Sequence, residues 1–112
     1  MKTRSAKNKG KRLQNKVRDL ILEKFDTLEP DDVRSTTMGD SGEDVLLSPA
    51  ARKKFPFSVE CKNQEKINLW ESYKQATENS GKYEPVVFIK RNNHKPLVVV
   101  DADYFINLHK NT

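Results

Sequence analysis

One cysteine among 112 residues leaves Cys61 without an intramolecular disulfide partner and leaves no thiolate cluster to hold a metal. That usage suits a reducing interior. No apolar run approaches the roughly 18 residues of a membrane span. The basic N-terminus is not followed by the apolar stretch of a secretory signal, so a soluble cytoplasmic chain is expected. Glycine is scarce, at 4 residues, and none of it forms a phosphate-cradling loop. His94 and His109 are fifteen residues apart with no cysteine or histidine partner, which argues against zinc. The aromatic 8% falls mostly on core positions, without the aromatic-and-basic pattern that stacks single strands. A hydrophobic share of 35% against 33% charged allows one core and one domain, with much of the chain left wet.

Acid is also missing from the first 18 residues. They carry Lys2, Arg4, Lys7, Lys9, Lys11, Arg12, Lys16 and Arg18, while the whole chain is only +5. Lys and Arg release counterions when they sit on phosphates, so a basic segment on a nearly balanced body suits a polyanion such as nucleic acid. A solubilising tail would have the same composition.

Residues 1–9 are basic with no apolar periodicity and are expected as a disordered arm, residues 10–112 as one domain. From Gly10, the stripe Leu13, Val17, Leu20, Ile21 and Phe25 predicts a helix that ends before Pro30. Strands are expected at 32–37, at 43–48 and at 55–62, with a Gly/Ser turn over 38–42 and a basic connection over 49–54. In the third strand Phe55, Phe57, Val59 and Cys61 alternate with Ser58, Glu60 and Lys62. A second helix is expected over 67–79, with Leu69, Trp70, Tyr73 and Ala76 as its apolar stripe and Gly81 as its cap. The apolar runs 85–90 and 96–100 read as strands buried on both faces. A last helix over 103–109 would take Asp101 or Asp103 as cap. The order α-β-β-β-α-β-β-α predicts an α/β sheet flanked by helices.

Glu60 and Lys62 stand two apart on a strand, so a carboxylate and an ammonium share one face of a rigid element. A hard divalent ion needs more than one such oxygen donor, and Asp44 at the head of the preceding strand supplies a second if the two strands pair. Glu-x-Lys alone is common, and its bland reading is an ion pair on a solvated strand.

The whole order adds to this. A helix is followed by a hairpin opening on Gly42-Glu43-Asp44, an apolar strand ending in Val59-Glu60-Cys61-Lys62, and a helix carrying glutamine. Together these resemble the PD-(D/E)XK nuclease superfamily, and within it the archaeal-type Holliday junction resolvases and related phage endonucleases. Lys9-Gly10-Lys11-Arg12-Leu13-Gln14 and Val33-Arg34-Ser35 look like theirs too, and the likeness runs from about Lys9 to Asp101. It implies a restriction-endonuclease-like mixed central sheet and a Mg2+-dependent endodeoxyribonuclease, with Mn2+ able to substitute. Asp44 and Glu60 would be metal ligands, the carbonyl of Cys61 a further one, and Lys62 the catalytic lysine. Gln75, in Tyr73-Lys74-Gln75-Ala76, resembles the glutamine that many members place near the active site. Gln14 stands where these resolvases carry glutamate, which weakens any second metal position and leaves Gln14 a supporting role. Products with 5′-phosphate and 3′-hydroxyl ends are implied. A phage-encoded enzyme acting in a host cytoplasm fits the same group.

For DNA contacts, Lys7, Lys9, Lys11 and Arg12 could track phosphates. Arg34, the Ser35-Thr36-Thr37 run and Ser41 are candidates near the active face. Arg52, Lys53 and Lys54 form a basic tip. Symmetric cutting of two strands, as at a branched junction, needs two copies of a one-site chain, so a homodimer is expected, through the region of Trp70 or the last helix. A nicking, restriction-like or homing endonuclease, and a basic nucleic-acid-binding protein without catalysis, are the alternatives.

Overall fold

The computed structural model describes residues 2–36 and 42–110, with side chains from Ala6 onward. Leu13, Val17 and Ile21 recur every fourth residue, and all three are buried in one helix, α1 (Lys2–Lys24). The helix begins at Lys2, so the segment expected as a disordered arm is its first two turns. Straight-chain lysine and alanine favour a helix even where no partner supplies an apolar stripe.

A short 3-10 turn at Pro30–Asp32 leads into β1 (Val33–Ser35), then β2 (Val45–Leu47), β3 (Phe57–Asn63), β4 (Glu84–Lys90) and β5 (Leu97–Val99). The strands form one mixed sheet in the order β1-β2-β3-β4-β5. Neighbours are antiparallel except β3 and β4, which run parallel with Val59 beside Val86 and Glu60 beside Val87. The parallel pair requires a crossover, and α3 (Leu69–Glu78) provides it. This is an α/β fold with a five-stranded mixed sheet flanked by helices.

Residues 49–54, expected as an irregular connection, form α2 (Pro49–Lys54). Ser48 caps it by accepting the Ala51 N–H at 3.1 Å, and Pro49 occupies the first turn, where a missing N–H costs nothing. The chain closes with α4 (Ala102–Asn107), whose cap is Asp101, accepting the Tyr104 N–H at 2.9 Å. Gly81 takes φ +57° just beyond α3, a value costly for other residues, although the capping position itself is Asn79.

The main core lies between α1 and one face of the sheet, where Val33, Val45, Val59, Cys61 and Val86 meet Leu13 and Val17. Ala76 of α3 is buried but outside this cluster, because α3 packs on β3 and β4 from the other face. Two expectations about that side need correction. Trp70 is 84% exposed, since α3 buries Ser72 and Ala76 rather than its tryptophan edge. β5 is an edge strand, and since consecutive Leu97 and Val98 point to opposite faces and both are exposed, it is not covered on both faces as expected. No helix among the described residues is long and apolar enough to cross a membrane.

Candidate active site

Alternation along β3 turns Val59 and Cys61 toward α1, so Ser58, Glu60 and Lys62 take the opposite face. That face is closed off around Ser58 and Glu60, with Lys62 half-buried at its far end. Glu60 is only 8% exposed and Ser58 is buried beside it. The reading of Glu60 and Lys62 as an ion pair on a wet strand therefore fails on burial.

Asp44 stands immediately before the first residue of β2. Gly42, at φ +93°, turns the chain just before it in a conformation that glycine adopts freely. The backbone N–H of Asp44 donates to the Val59 carbonyl at 2.8 Å, and its side-chain Oδ2 accepts the Cys61 N–H at 2.7 Å. Thr36 secures the other side, donating both its N–H (3.0 Å) and its hydroxyl (3.2 Å) to the Asp44 carbonyl. The carboxylate is thus locked onto β3 next to Glu60.

The two acids pay electrostatically for this closeness. Burial first, and then the negative charge of Asp44, push the Glu60 carboxyl up to about 7, with Lys62 pulling the other way. Burial likewise raises Asp44 above the usual carboxylate range, against the hydrogen bonds from Cys61 and Glu60 and the attraction of Lys62. The pair stands close enough to share a proton. Glu60 Oε1 is buried and has no hydrogen-bond partner among the described residues. Two crowded carboxyl groups with a buried, unsatisfied oxygen fit a divalent cation, which would relieve both the repulsion and the orphaned acceptor. Magnesium commonly takes only one or two protein carboxylates, so the donor set suffices although no group of three His, Cys, Asp or Glu side chains converges among the described residues.

Glu43 and Arg52 form a supporting pair, missed from the sequence. Arg52 meets Glu43 at 2.6 Å, donates to the Phe57 carbonyl at 2.9 Å, and lies 4.1 Å from the centre of the Tyr83 ring. It is therefore no part of a solvated basic tip, because α2 turns it inward while Lys53 and Lys54 stay exposed.

The other expected residues divide. The Lys11 ammonium donates to Ser35 Oγ (3.0 Å) and the Thr36 carbonyl (2.9 Å), and Ser35 donates to Asn15 (2.8 Å). These three side chains brace α1 against the end of β1 instead of standing free for phosphates. Lys7, Arg12 and Arg34 are exposed and Lys9 half-buried. Gln14 is buried on α1 beside Leu13. Gln75 is exposed, because α3 turns Ser72 and Ala76 toward the sheet. Thr37 and Ser41 lie outside the described residues. The Cys61 thiol is buried and driven upward by burial and by both acids, which leaves it unsuited as a nucleophile.

No family model matches this chain, and no curated protein or solved structure is significantly similar to it.

Proposed function

We propose that this chain is a divalent-metal-dependent DNA endonuclease of the PD-(D/E)XK kind, structure-selective in the manner of the Holliday junction resolvases. The observation that carries the reading is half-buried Asp44 set against buried Glu60, with Lys62 on the same face of β3 as Glu60. The antiparallel β1-β2-β3 run, the α3 crossover and the parallel β4 support a restriction-endonuclease-like topology.

Asp44 and Glu60 would hold Mg2+ or Mn2+, with the Cys61 carbonyl as a further oxygen donor. When bound, the ion would polarise the phosphodiester and lower the pKa of a water. The chain's own part is to keep the two carboxylates preorganised through the Cys61 N–H and the Thr36 contacts, so that little rearrangement is needed at reaction. Lys62, held on the same rigid strand, orients the attacking water and offsets charge at the phosphate. Attack in line with the leaving sugar 3′-oxygen gives 5′-phosphate and 3′-hydroxyl ends.

Cutting both strands of a branched junction needs two such sites, which a homodimer supplies. Exposed Trp70, Phe105 and Ile106 are the candidate contacts. The test uses supercoiled plasmid and a four-way junction, with and without magnesium. Metal-dependent cleavage that disappears in Asp44→Ala, Glu60→Ala and Lys62→Ala is expected. DNA binding without cleavage under any divalent ion would instead make the chain a basic binding protein.

A further inference from the structure

A cleft of about 240 Å³ opens on the α1 side of the sheet, lined by Lys9, Arg12, Lys16, Asn63, Lys90 and Asn92. Lys9, Arg12 and Lys16 fall at i, i+3 and i+7, one face of α1, so the helix presents three cations in a row. Lys90 comes from the end of β4, directly beside Asn63 in the parallel ladder. The wall is fastened, because Asn63 Nδ2 donates to the Lys9 carbonyl at 2.8 Å and ties α1 to the end of β3. The β4–β5 turn is fixed as well, with Glu65 accepting the Asn92 N–H at 2.6 Å from outside the lining.

Four cations and two amides therefore line one cleft together with Leu13 and Pro96, and no carboxylate is among them. Lys90 donates to the Arg91 carbonyl at 3.2 Å, and an ammonium has further protons to give. Like charges gathered on one lining are unfavourable until an anion arrives, and the neighbouring Glu65 carboxylate is engaged by the Asn92 N–H. Asn63 lies three residues beyond Glu60 on β3, an odd step, so the cleft opens on the α1 face of the sheet while Glu60 and Lys62 take the other.

We infer that this cleft holds backbone phosphates of the DNA, an inference that rests on the nuclease reading. It separates binding cations from bracing ones: Lys16 and Lys90 join Lys9 and Arg12 on the phosphates, and Lys11 does not.

The test measures binding of a short fluorescein-labelled duplex by anisotropy in EDTA, so no cleavage is involved, across about 50 to 200 mM salt. The double variant Lys16→Gln/Lys90→Gln is compared with Lys53→Gln/Lys54→Gln, which removes equal charge from exposed α2. The cleft variant should bind about tenfold or more weaker and lose about two from the slope of log affinity against log salt. The α2 variant should retain the wild-type slope, and Lys16→Arg/Lys90→Arg should restore it. An unchanged slope in the cleft variant, or an equal loss in the α2 variant, overturns the inference. If the wild type binds with the expected slopes but never cleaves, the nuclease reading fails while the cleft stands as a DNA site.

Discussion

The Asp44 carboxylate accepts the Cys61 N–H at 2.7 Å, so an acid from the head of β2 is fixed to the middle of β3 one residue from Glu60. The bond orients the carboxylate without neutralising it, which separates the role of its shape from the role of its charge. Asp44→Asn keeps an acceptor for Cys61 and removes the charge. Losing an outer partner of a metal ligand already costs about 10–100-fold, so losing the ligand's charge should lower cleavage by at least about a hundredfold. The metal-free variant should be as stable as the wild type or more so at pH 8, because the repulsion with Glu60 is gone. Plasmid cleavage rates and urea midpoints check the two halves. A destabilised variant would show that the carboxylate serves the fold.

Raised acidity at Glu60 has a defined consequence for stability. Unfolded, this glutamate titrates near 4.5, and folded it holds its proton up to about 7. Between those values the folded state binds the extra proton, so its contribution is full below about pH 4.5 and is lost as pH rises through about 7. The metal-free protein should lose on the order of 3 kcal/mol across that interval. Glu60→Gln should flatten the profile. Since a cation must displace the shared proton, magnesium should raise Tm at pH 8 and have little effect at pH 5.5. Thermal melts across pH, with and without magnesium, decide it, and a Tm insensitive to magnesium at pH 8 would count against the ion site.

Arg52 supports the site from outside. Its ion pair with Glu43 is largely buried, with side-chain exposures of 13% and 16%. Arg52→Ala leaves Glu43 charged and enclosed and should cost about 3 kcal/mol. Adding Glu43→Ala should recover part of that loss, because it removes the stranded charge. Urea unfolding of the two singles and the double gives the coupling directly, and strict additivity would mean the pair is not coupled.

Much of this arrangement was legible in the sequence. The fourfold repeat of Leu13, Val17 and Ile21 marks the helix face that is buried, and alternation in Val59-Glu60-Cys61-Lys62 separates core from site. Gly42 before Asp44 signals the turn that brings the two acids together. Ser48-Pro49 was a readable helix start that the basic run after it obscured. Other features depend on tertiary partners. Apolar composition alone does not distinguish β5 at an edge from β4 inside the sheet, and Trp70 looks like core until α3 is seen to pack through Ser72 and Ala76. Nothing local marks Lys11 as different from Lys9 or Arg12, since its partners lie 24 and 25 residues away.

That distinction makes Lys11 the most informative cation in α1. Its ammonium is committed to Ser35 and to the Thr36 carbonyl, and Thr36 in turn holds the backbone of Asp44. Lys11→Met removes the brace and keeps most of the apolar stem. If Lys11 positions the active site, the variant should cleave about tenfold more slowly at saturating DNA, in keeping with the cost of disturbing a ligand's outer support. Its salt slope should change by less than the ~0.9 expected for one lost phosphate contact. If Lys11 instead sits on DNA, the pattern reverses, with weaker binding, a shallower slope and an unchanged rate at saturation. Anisotropy and single-turnover cleavage on the same preparation distinguish the two outcomes.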